Sequence, residues 1–500
     1  MKASQIFSDF LKRNGLHPLF GNPGTTEIPM LSNVEDYVLT LHDSISVAMA
    51  DAYAQYTGHP SIVNLHSLPG ISNSMAFIIS AMKDNAPVII TAGQQDRRHL
   101  YYDPLLSGDQ IGMVSNYVKY AYEVRRPEEI PLALKRAYEI SMTPPFGPTF
   151  VSFPMDIMDE DATPIESEVK YHTQMCLGED DIRSIMDRIN SADRVALVFG
   201  SEVDMYGSME DARSFAHALN APVYVEPWSQ SSSYYRDDLY VQDLPSSFQA
   251  MNRILNQYDL IVFIGSDIFV YPYTGEDPSF ADRSIFISTR SGHYIGDTYR
   301  SDPKCFLQSA LKYARPKEKF VPKVVKEKLV YEDIIAKIHR HLKGYTAVDE
   351  AVTASGSVRK YFADGPKTYF TSRGGPLGWG DAATVSVAMA NSKTVGIIGD
   401  GAFMYTPQSL WTAYRYGIPA KFIVIRNNGY NILRSYSRTF GYGIENADYL
   451  RFNFRIEKVA EGFGVDVRTY SGEGDLEWIS SGNTPKVLVL DADNEIPDLF

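Results

Sequence analysis

The sequence predicts an α/β protein built as three doubly wound parallel-sheet domains. Three observations predict it. The chain has 500 residues, and domains run at roughly 150 residues each. Six short Val/Ile-rich runs end in Gly, Ser or Asn, and most lead into a helical pattern. Continuous apolar strands between helices belong to parallel sheets covered on both faces. Two irregular stretches, 156–180 (acidic) and 313–330 (lysine-rich, with two prolines), divide the chain into about 1–160, 175–315 and 328–500.

Taken in order, the strand runs are SIVNLHS (61–67), APVIITAG (86–93), RVALVFGS (194–201), DLIVFIGS (259–266), KTVGIIGD (393–400) and AKFIVIRN (420–427). The three units could be distant duplicates, which the sequence does not decide. The N-terminal MKASQIFSDFLKRNG has helical spacing, not the continuous apolar run of a secretion signal. No window reaches the ~18 uninterrupted apolar residues of a membrane span. A formal net charge of −14 repels phosphate backbones and anionic lipid, so neither nucleic acid nor membrane is an expected partner. Two cysteines, Cys176 and Cys305, are too few for a disulfide framework in so long a chain. The expectation is two buried thiols in a cytoplasmic protein, with a single bridge as the other reading.

The strongest chemical signal lies in the third domain. KTVGIIGDGAF is a strand running into Gly399-Asp400-Gly401. The helical PQSLWTAYRYG follows, with Pro407 suited to its first turn and Gly417 to its C-cap. A second strand then runs into Asn427-Asn428-Gly429-Tyr430. In a βαβ unit both polar clusters reach the carboxyl edge of the sheet, where open α/β folds bind ligands. A carboxylate, an amide oxygen and a backbone carbonyl are an incomplete set of hard oxygen ligands. Mg²⁺ completes such a set with water and phosphate oxygens. The glycines and the helix N-terminus favour a bulky anion. These residues predict a Mg²⁺–diphosphate site. A rival is the dinucleotide fingerprint in Gly378-Trp379-Gly380-Asp381-Ala382-Ala383, with Asp400 as its acid. That reading leaves Gly-Asp-Gly unexplained. Gly365-Pro366-Lys367-Thr368 lacks the upstream glycine of a P-loop.

Gly399-Asp400-Gly401 with the Asn427-Asn428 doublet resembles the motif of the thiamin-diphosphate-dependent 2-oxo acid decarboxylase superfamily. Gly21-Asn22-Pro23-Gly24-Thr25, Asp51-Ala52-Tyr53-Ala54-Gln55, Asn64-Leu65-His66-Ser67, Thr91-Ala92-Gly93-Gln94-Gln95 and Leu410-Trp411-Thr412-Ala413 are most similar to the benzoylformate decarboxylases. The resemblance spans the chain. It implies a pyrimidine-binding domain, a middle domain and a diphosphate-binding domain. It also implies a cofactor held between the first domain of one subunit and the third of another, hence a homodimer or homotetramer. Asp400, Asn427 (Asn428 as the other choice) and the Gly429 carbonyl would hold Mg²⁺, with Gly399, Gly401, Ala402 and Tyr430 around the diphosphate. The Gly375 carbonyl would accept from the aminopyrimidine. Leu377 would wedge the cofactor into the bent form that brings its amino nitrogen to the thiazolium.

The sequence departs from the family in three places. Asp43 stands where most members use a Glu to hydrogen-bond the pyrimidine, so the acid is one methylene shorter. Thr25 replaces a substrate-binding Ser and adds a methyl. Pro272 replaces a second active-site His; Tyr271 or Tyr273 could substitute. His66 is the expected proton-transfer residue. Leu105, Leu106, Ile432, Leu433 and Tyr436 are the expected pocket walls, with plain core as the other reading of the last three. The implied function is non-oxidative decarboxylation of an aryl or branched 2-oxo acid to an aldehyde. The alternatives are an acetolactate synthase-type carboligase, or a cofactor-binding protein with little catalysis because of Asp43 and Pro272.

Overall fold

A computed structural model describes residues 1–163, 168–268, 270–325, 329–493 and 495–497. Parts of both expected linkers (164–167 and 326–328) and Phe269 lie outside the described residues.

Three parallel six-stranded sheets carry the fold. The first contains β1 (Leu19–Gly21), β2 (Tyr37–Leu39), β3 (Ser61–Leu65), β4 (Val88–Gln94), β5 (Ala121–Glu123) and β6 (Thr149–Pro154), in the order β2-β1-β3-β4-β6-β5. The second contains β7 (Val195–Phe199), β8 (Val223–Val225), β9 (Tyr240–Asp243), β10 (Leu260–Ile264), β11 (Ser284–Ser288) and β12 (Asp297–Arg300), ordered β12-β11-β10-β7-β8-β9. The third contains β13 (Thr346–Glu350), β14 (Tyr369–Phe370), β15 (Thr394–Gly399), β16 (Lys421–Arg426), β17 (Asp466–Thr469) and β18 (Lys486–Asp491), ordered β14-β13-β15-β16-β18-β17. All six predicted runs are strands. The first and third sheets share one strand order, as duplicated units would; the middle sheet has another.

By contacts the chain forms two compact units: Met1–Thr173 with Ser372–Asn428 and Asn453–Asp493, and Gln174–Thr371 with Gly429–Phe452 and the last residues. In the first unit, β15 and β16 are adjacent and in register from Val395↔Lys421 to Gly399↔Ile425. Their carboxyl tips, carrying Asp400 and Asn427, therefore end side by side. Two changes adjust the expected βαβ unit. A short helix, Asp400–Phe403, follows β15 at once, and the crossover helix is Ser409–Arg415, two residues past Pro407. The dinucleotide reading fails on placement. β14 ends at Phe370, eight residues before Gly378, so no strand runs into that glycine turn.

The helices Asp43–Thr57 and Trp379–Ala390 pack against each other and are buried along nearly their whole length. Their small residues, DSISVAMADAYAQYT against WGDAATVSVAMA, make this possible. Mostly apolar or small around the helix, with the buried acids Asp51 and Asp381 as exceptions, each is a helix for an interior.

The second unit corrects one expectation. Cys176 and Cys305 are a disulfide, not two thiols, with Cα atoms 5.6 Å apart. The 129-residue separation hides the pairing in the sequence. Asp302 builds it locally: its carboxylate accepts from the N–H groups of Cys305 (2.7 Å) and Met175 (3.1 Å), and its own N–H donates to the Met175 carbonyl (2.8 Å). The compartment argued from cysteine usage loses its support. No helix among the described residues is long and apolar enough to cross a membrane.

Closing so long a loop restricts the unfolded chain, so reduction by a dithiol should lower stability by ~2–4 kcal/mol. Urea unfolding with and without reductant checks this, and thiol titration of the unreduced, denatured protein should find no free thiol.

Candidate active site

The first sheet changes the direction of its strand order between β1 and β3, and its crevice opens at their carboxyl ends. The turn after β1, Asn22-Pro23-Gly24-Thr25-Thr26-Glu27, fills that edge. Glu27 is the residue that sequence reasoning missed. It is fully buried. One carboxylate oxygen accepts from the N–H groups of Gly93 (2.8 Å) and Ser67 (3.0 Å) and from the Thr26 hydroxyl (2.7 Å). The other accepts from the Gly24 N–H (2.8 Å) and meets His66 Nδ1 at 2.8 Å. Glu27 thus ties the tips of β1, β3 and β4 together. Gly24 and Gly93 are glycines for this reason: a Cβ at Gly24 would stand 1.9 Å from His66 Nδ1, and one at Gly93 2.4 Å from the Glu27 carboxylate. The one mark of Glu27 in the sequence is that it is the lone acid of an otherwise uncharged loop, which does not say what it binds.

His66 precedes the helix Ser67–Lys83. The bond to Glu27 pushes its pKa up from the ordinary histidine value, and burial opposes this. A carboxylate at Nδ1 favours the proton there, which makes Nε2 the accepting nitrogen of the neutral ring. Asp43 opens the helix Asp43–Thr57 and is nearly buried. Its carboxylate accepts from the His66 N–H at 3.3 Å and the Asn73 amide at 3.5 Å. Asp43 and His66 are therefore brought together. Thr25 is exposed, two residues before Glu27, while Thr26 carries the hydroxyl that binds Glu27. The Leu106 carbonyl accepts from Ser67 Oγ (2.9 Å), so Leu106 lies beside His66. Leu105 is 81% exposed.

The third sheet carries the second cluster. Asp400 is buried, and burial lifts its pKa to about 6 although the N–H groups of Gly401 (2.9 Å) and Asn428 (2.8 Å) bind its two oxygens. Asn427 is buried next to it, and its N–H also serves Asp400. Asn428 has φ +58°, and its Oδ1 is buried without a partner. A buried carboxylate held by backbone N–H groups and an unpaired amide oxygen at adjoining strand tips are what a divalent cation would satisfy. The donor set fits Mg²⁺ with either asparagine. Gly399, Gly401 and Ala402 surround Asp400 in sequence; Gly429 follows Asn428, and Tyr430 packs edge-on against Phe452. Gly375 has φ +73° with open space where a Cβ would point, so its backbone can be approached closely. Leu377 is half-buried rather than core.

In the second unit, the helix Asn431–Thr439 is turned inside out. It buries Asn431, Arg434, Ser435 and Ser437 and leaves Ile432 and Tyr436 half-buried and Leu433 exposed. That removes the plain-core reading of these three. Tyr436 stacks on Tyr442 (5.9 Å) and on Tyr271 (6.2 Å), the tyrosine before Pro272.

Comparison with known proteins decides the family. Three family profiles match in order: the thiamine pyrophosphate enzyme N-terminal TPP binding domain (residues 1–113), its central domain (182–308) and its C-terminal TPP binding domain (353–479). The chain is a thiamine pyrophosphate enzyme. A benzoylformate decarboxylase of Pseudomonas aeruginosa is 26% identical, over 94% of each chain. The crystal structure of benzoylformate decarboxylase from Polynucleobacter necessarius is 28% identical, with a TM-score of 0.94 over all of both chains. A putative thiamin diphosphate-dependent enzyme from Mycobacterium smegmatis is 30% identical, with a TM-score of 0.90 over 99% of both chains. These relatives place it among the thiamin-diphosphate-dependent enzymes of the decarboxylase type.

Replacing Glu27 by Gln should turn an amide NH₂ toward N–H donors and cost ~2–3 kcal/mol. It should also lower the His66 pKa, read from the imidazole resonances on titration. Because the folded pKa is raised, the pair's contribution is whole below the ordinary histidine pKa and fades as pH rises through the folded value. That slope should disappear in Glu27→Gln.

Proposed function

We propose that the protein decarboxylates an aryl or branched 2-oxo acid to an aldehyde, using thiamin diphosphate held by Mg²⁺. The observation that carries this reading is the uncompensated Asp400 beside the unpaired Asn428 Oδ1, in a chain whose other cluster offers a tuned histidine. When bound, thiamin diphosphate supplies the electron sink that lets carbon dioxide leave. The remaining work falls to the chain. Asp400, Asn427 or Asn428, and the Gly429 carbonyl hold the cation; Gly399, Gly401, Ala402 and Tyr430 enclose the diphosphate. The Gly375 carbonyl and Leu377 would position the cofactor, and Asp43 would hydrogen-bond its pyrimidine. His66, with Nδ1 committed to Glu27, gives and takes protons at Nε2. Thr25 binds the substrate carboxylate. Leu105 and Leu106, and separately Ile432, Leu433 and Tyr436, are the apolar side chains expected to meet the substrate, and they suit a hydrophobic group better than a methyl.

The working unit in this proposal is a homodimer or homotetramer, because Asp43 and His66 belong to the first sheet and Asp400 to the third. The resemblance pairs these domains across subunits. Leu105, exposed in the single chain, would then face a partner.

The test is aldehyde formation from benzoylformate and branched 2-oxo acids with Mg²⁺ and thiamin diphosphate. Acyloin in place of free aldehyde would transfer the assignment to carboligation. Binding of the cofactor with no turnover of any 2-oxo acid would overturn both. His66→Ala should lower kcat by about 10²–10⁴-fold while cofactor affinity is retained.

A further inference from the structure

Outside the residues already discussed, the first unit buries two carboxyls that face each other. Asp51, in the middle of the helix Asp43–Thr57, and Asp84, just after the helix Ser67–Lys83, are both fully buried and hydrogen-bond to one another. Burial pushes Asp51 well above the ordinary carboxylate range, the charge of Asp84 adds to it, and burial raises Asp84 too. Two carboxylates cannot both ionise at contact in a dry interior, so one proton stays between them.

What the pair holds is as telling as the pair itself. Asp84 accepts from the Arg373 N–H at 2.6 Å and from Ser80 Oγ at 3.1 Å, and Ser80 Oγ in turn meets Ser372 Oγ at 2.6 Å. Asp51 accepts from the Trp379 indole N–H at 2.9 Å and from the Gln55 amide at 2.8 Å. Arg373 and Trp379 are the two ends of the segment 373–379, which carries Gly375 and Leu377. Gly374 presses so close that a Cβ there would meet the Ser80 Cα at 2.5 Å. Each carboxyl thus grips one end of the segment, and their contact fixes the distance between the grips.

We propose that Asp51 and Asp84 share one proton, and that this proton locks the segment 373–379 in the form that receives the cofactor. The two are positioning residues. The inference rests on Gly375 and Leu377 being cofactor contacts, not on which substrate is turned over. Loss of the shared proton at alkaline pH leaves two buried carboxylates in repulsion and loosens one grip or the other. The other titratable groups on the elements packed here are Asp43, Tyr53 and Tyr56 on the first helix, His66 and Lys83 at the ends of the second, Arg373 on the segment, and Asp381 on Trp379–Ala390. The sign is fixed by linkage. The unfolded chain ionises both carboxyls in the ordinary range and the folded chain keeps one proton, so the locked form weakens as pH rises through the raised value.

The experiment measures thiamin diphosphate affinity in saturating Mg²⁺ by calorimetry between about pH 6 and about pH 9, alongside exchange of the Arg373 amide in the cofactor-free protein, corrected for intrinsic rate. In the unaltered protein, affinity should fall about tenfold and Arg373 exchange should speed up by a similar factor. Asp84→Asn keeps a neutral partner for Asp51 and for the Arg373 N–H, so it should retain affinity near neutral pH and abolish both alkaline changes. Asp51→Asn should do the same and serves if Asp84→Asn does not fold. An alkaline loss that survives in either folded variant overturns the proposal, as does Arg373 exchange without pH dependence in the unaltered protein. Failure to decarboxylate any 2-oxo acid would leave both readouts standing and would count against the activity alone.

Discussion

A carboxylate buried at the end of a parallel sheet must be met by N–H groups, and the arrangement of this protein's first domain follows from how Glu27 is met. Strand ends in a parallel sheet leave amides pointing off the same edge. Glu27 collects three of them, from Gly24, Ser67 and Gly93, and adds the Thr26 hydroxyl. Its remaining capacity goes to His66 Nδ1. One side chain therefore does what several loop contacts would otherwise do: it sets the spacing of three strand tips and the orientation and tautomer of the one histidine among them. The glycines on either side are fixed by the same demand for close approach.

The third sheet poses the same problem and leaves it unsolved. Asp400 also collects amides at a strand tip, from Gly401 and Asn428, yet its pKa remains raised, and Asn428 Oδ1 beside it remains unpaired. Protein groups do not compensate this site as Glu27 is compensated. A fold that satisfies nearly all buried polar groups keeps such exceptions where something else completes them. Set against each other, the two sheets differ: one surrounds its buried acid with donors and raises a histidine pKa, the other leaves its buried acid incompletely met.

Much of this was legible in the sequence because it is local. The runs 393–400 and 420–427 are continuous and apolar, so they could only be buried parallel strands, and their polar tips then had to meet. His66 and Asp43 were legible through neighbouring motif residues. Glu27 was not, since nothing in Thr-Thr-Glu announces that β3 and β4 will supply its donors from 40 and 66 residues away. The disulfide was hidden in the same way, by a separation of 129 residues. The helix Asn431–Thr439 defeated periodicity for another reason: it buries its polar face, with Arg434 held by Asn431 and the Glu445 carbonyl, so its apolar side chains read as core and are not.

The middle domain meets the same constraint in a third way. Its sheet changes direction between β7 and β10, and its carboxyl edge offers the same kind of amide-lined crevice. There the crevice is filled from within. The buried Glu226 carboxylate accepts from the N–H groups of Ser201 (2.9 Å) and Asp267 (2.7 Å), which follow those two strands. A second buried acid, Glu202, takes the Thr289 N–H and the Ser288 and Thr289 hydroxyls at the end of β11. Its donors are spent on its own side chains, and the neighbouring loop places Tyr271 in the aromatic stack at Tyr436. Three sheets of one architecture thus reach three outcomes, set by how the buried acid at each edge is met: by N–H donors and a histidine at Glu27, by N–H donors at Glu226, and incompletely at Asp400.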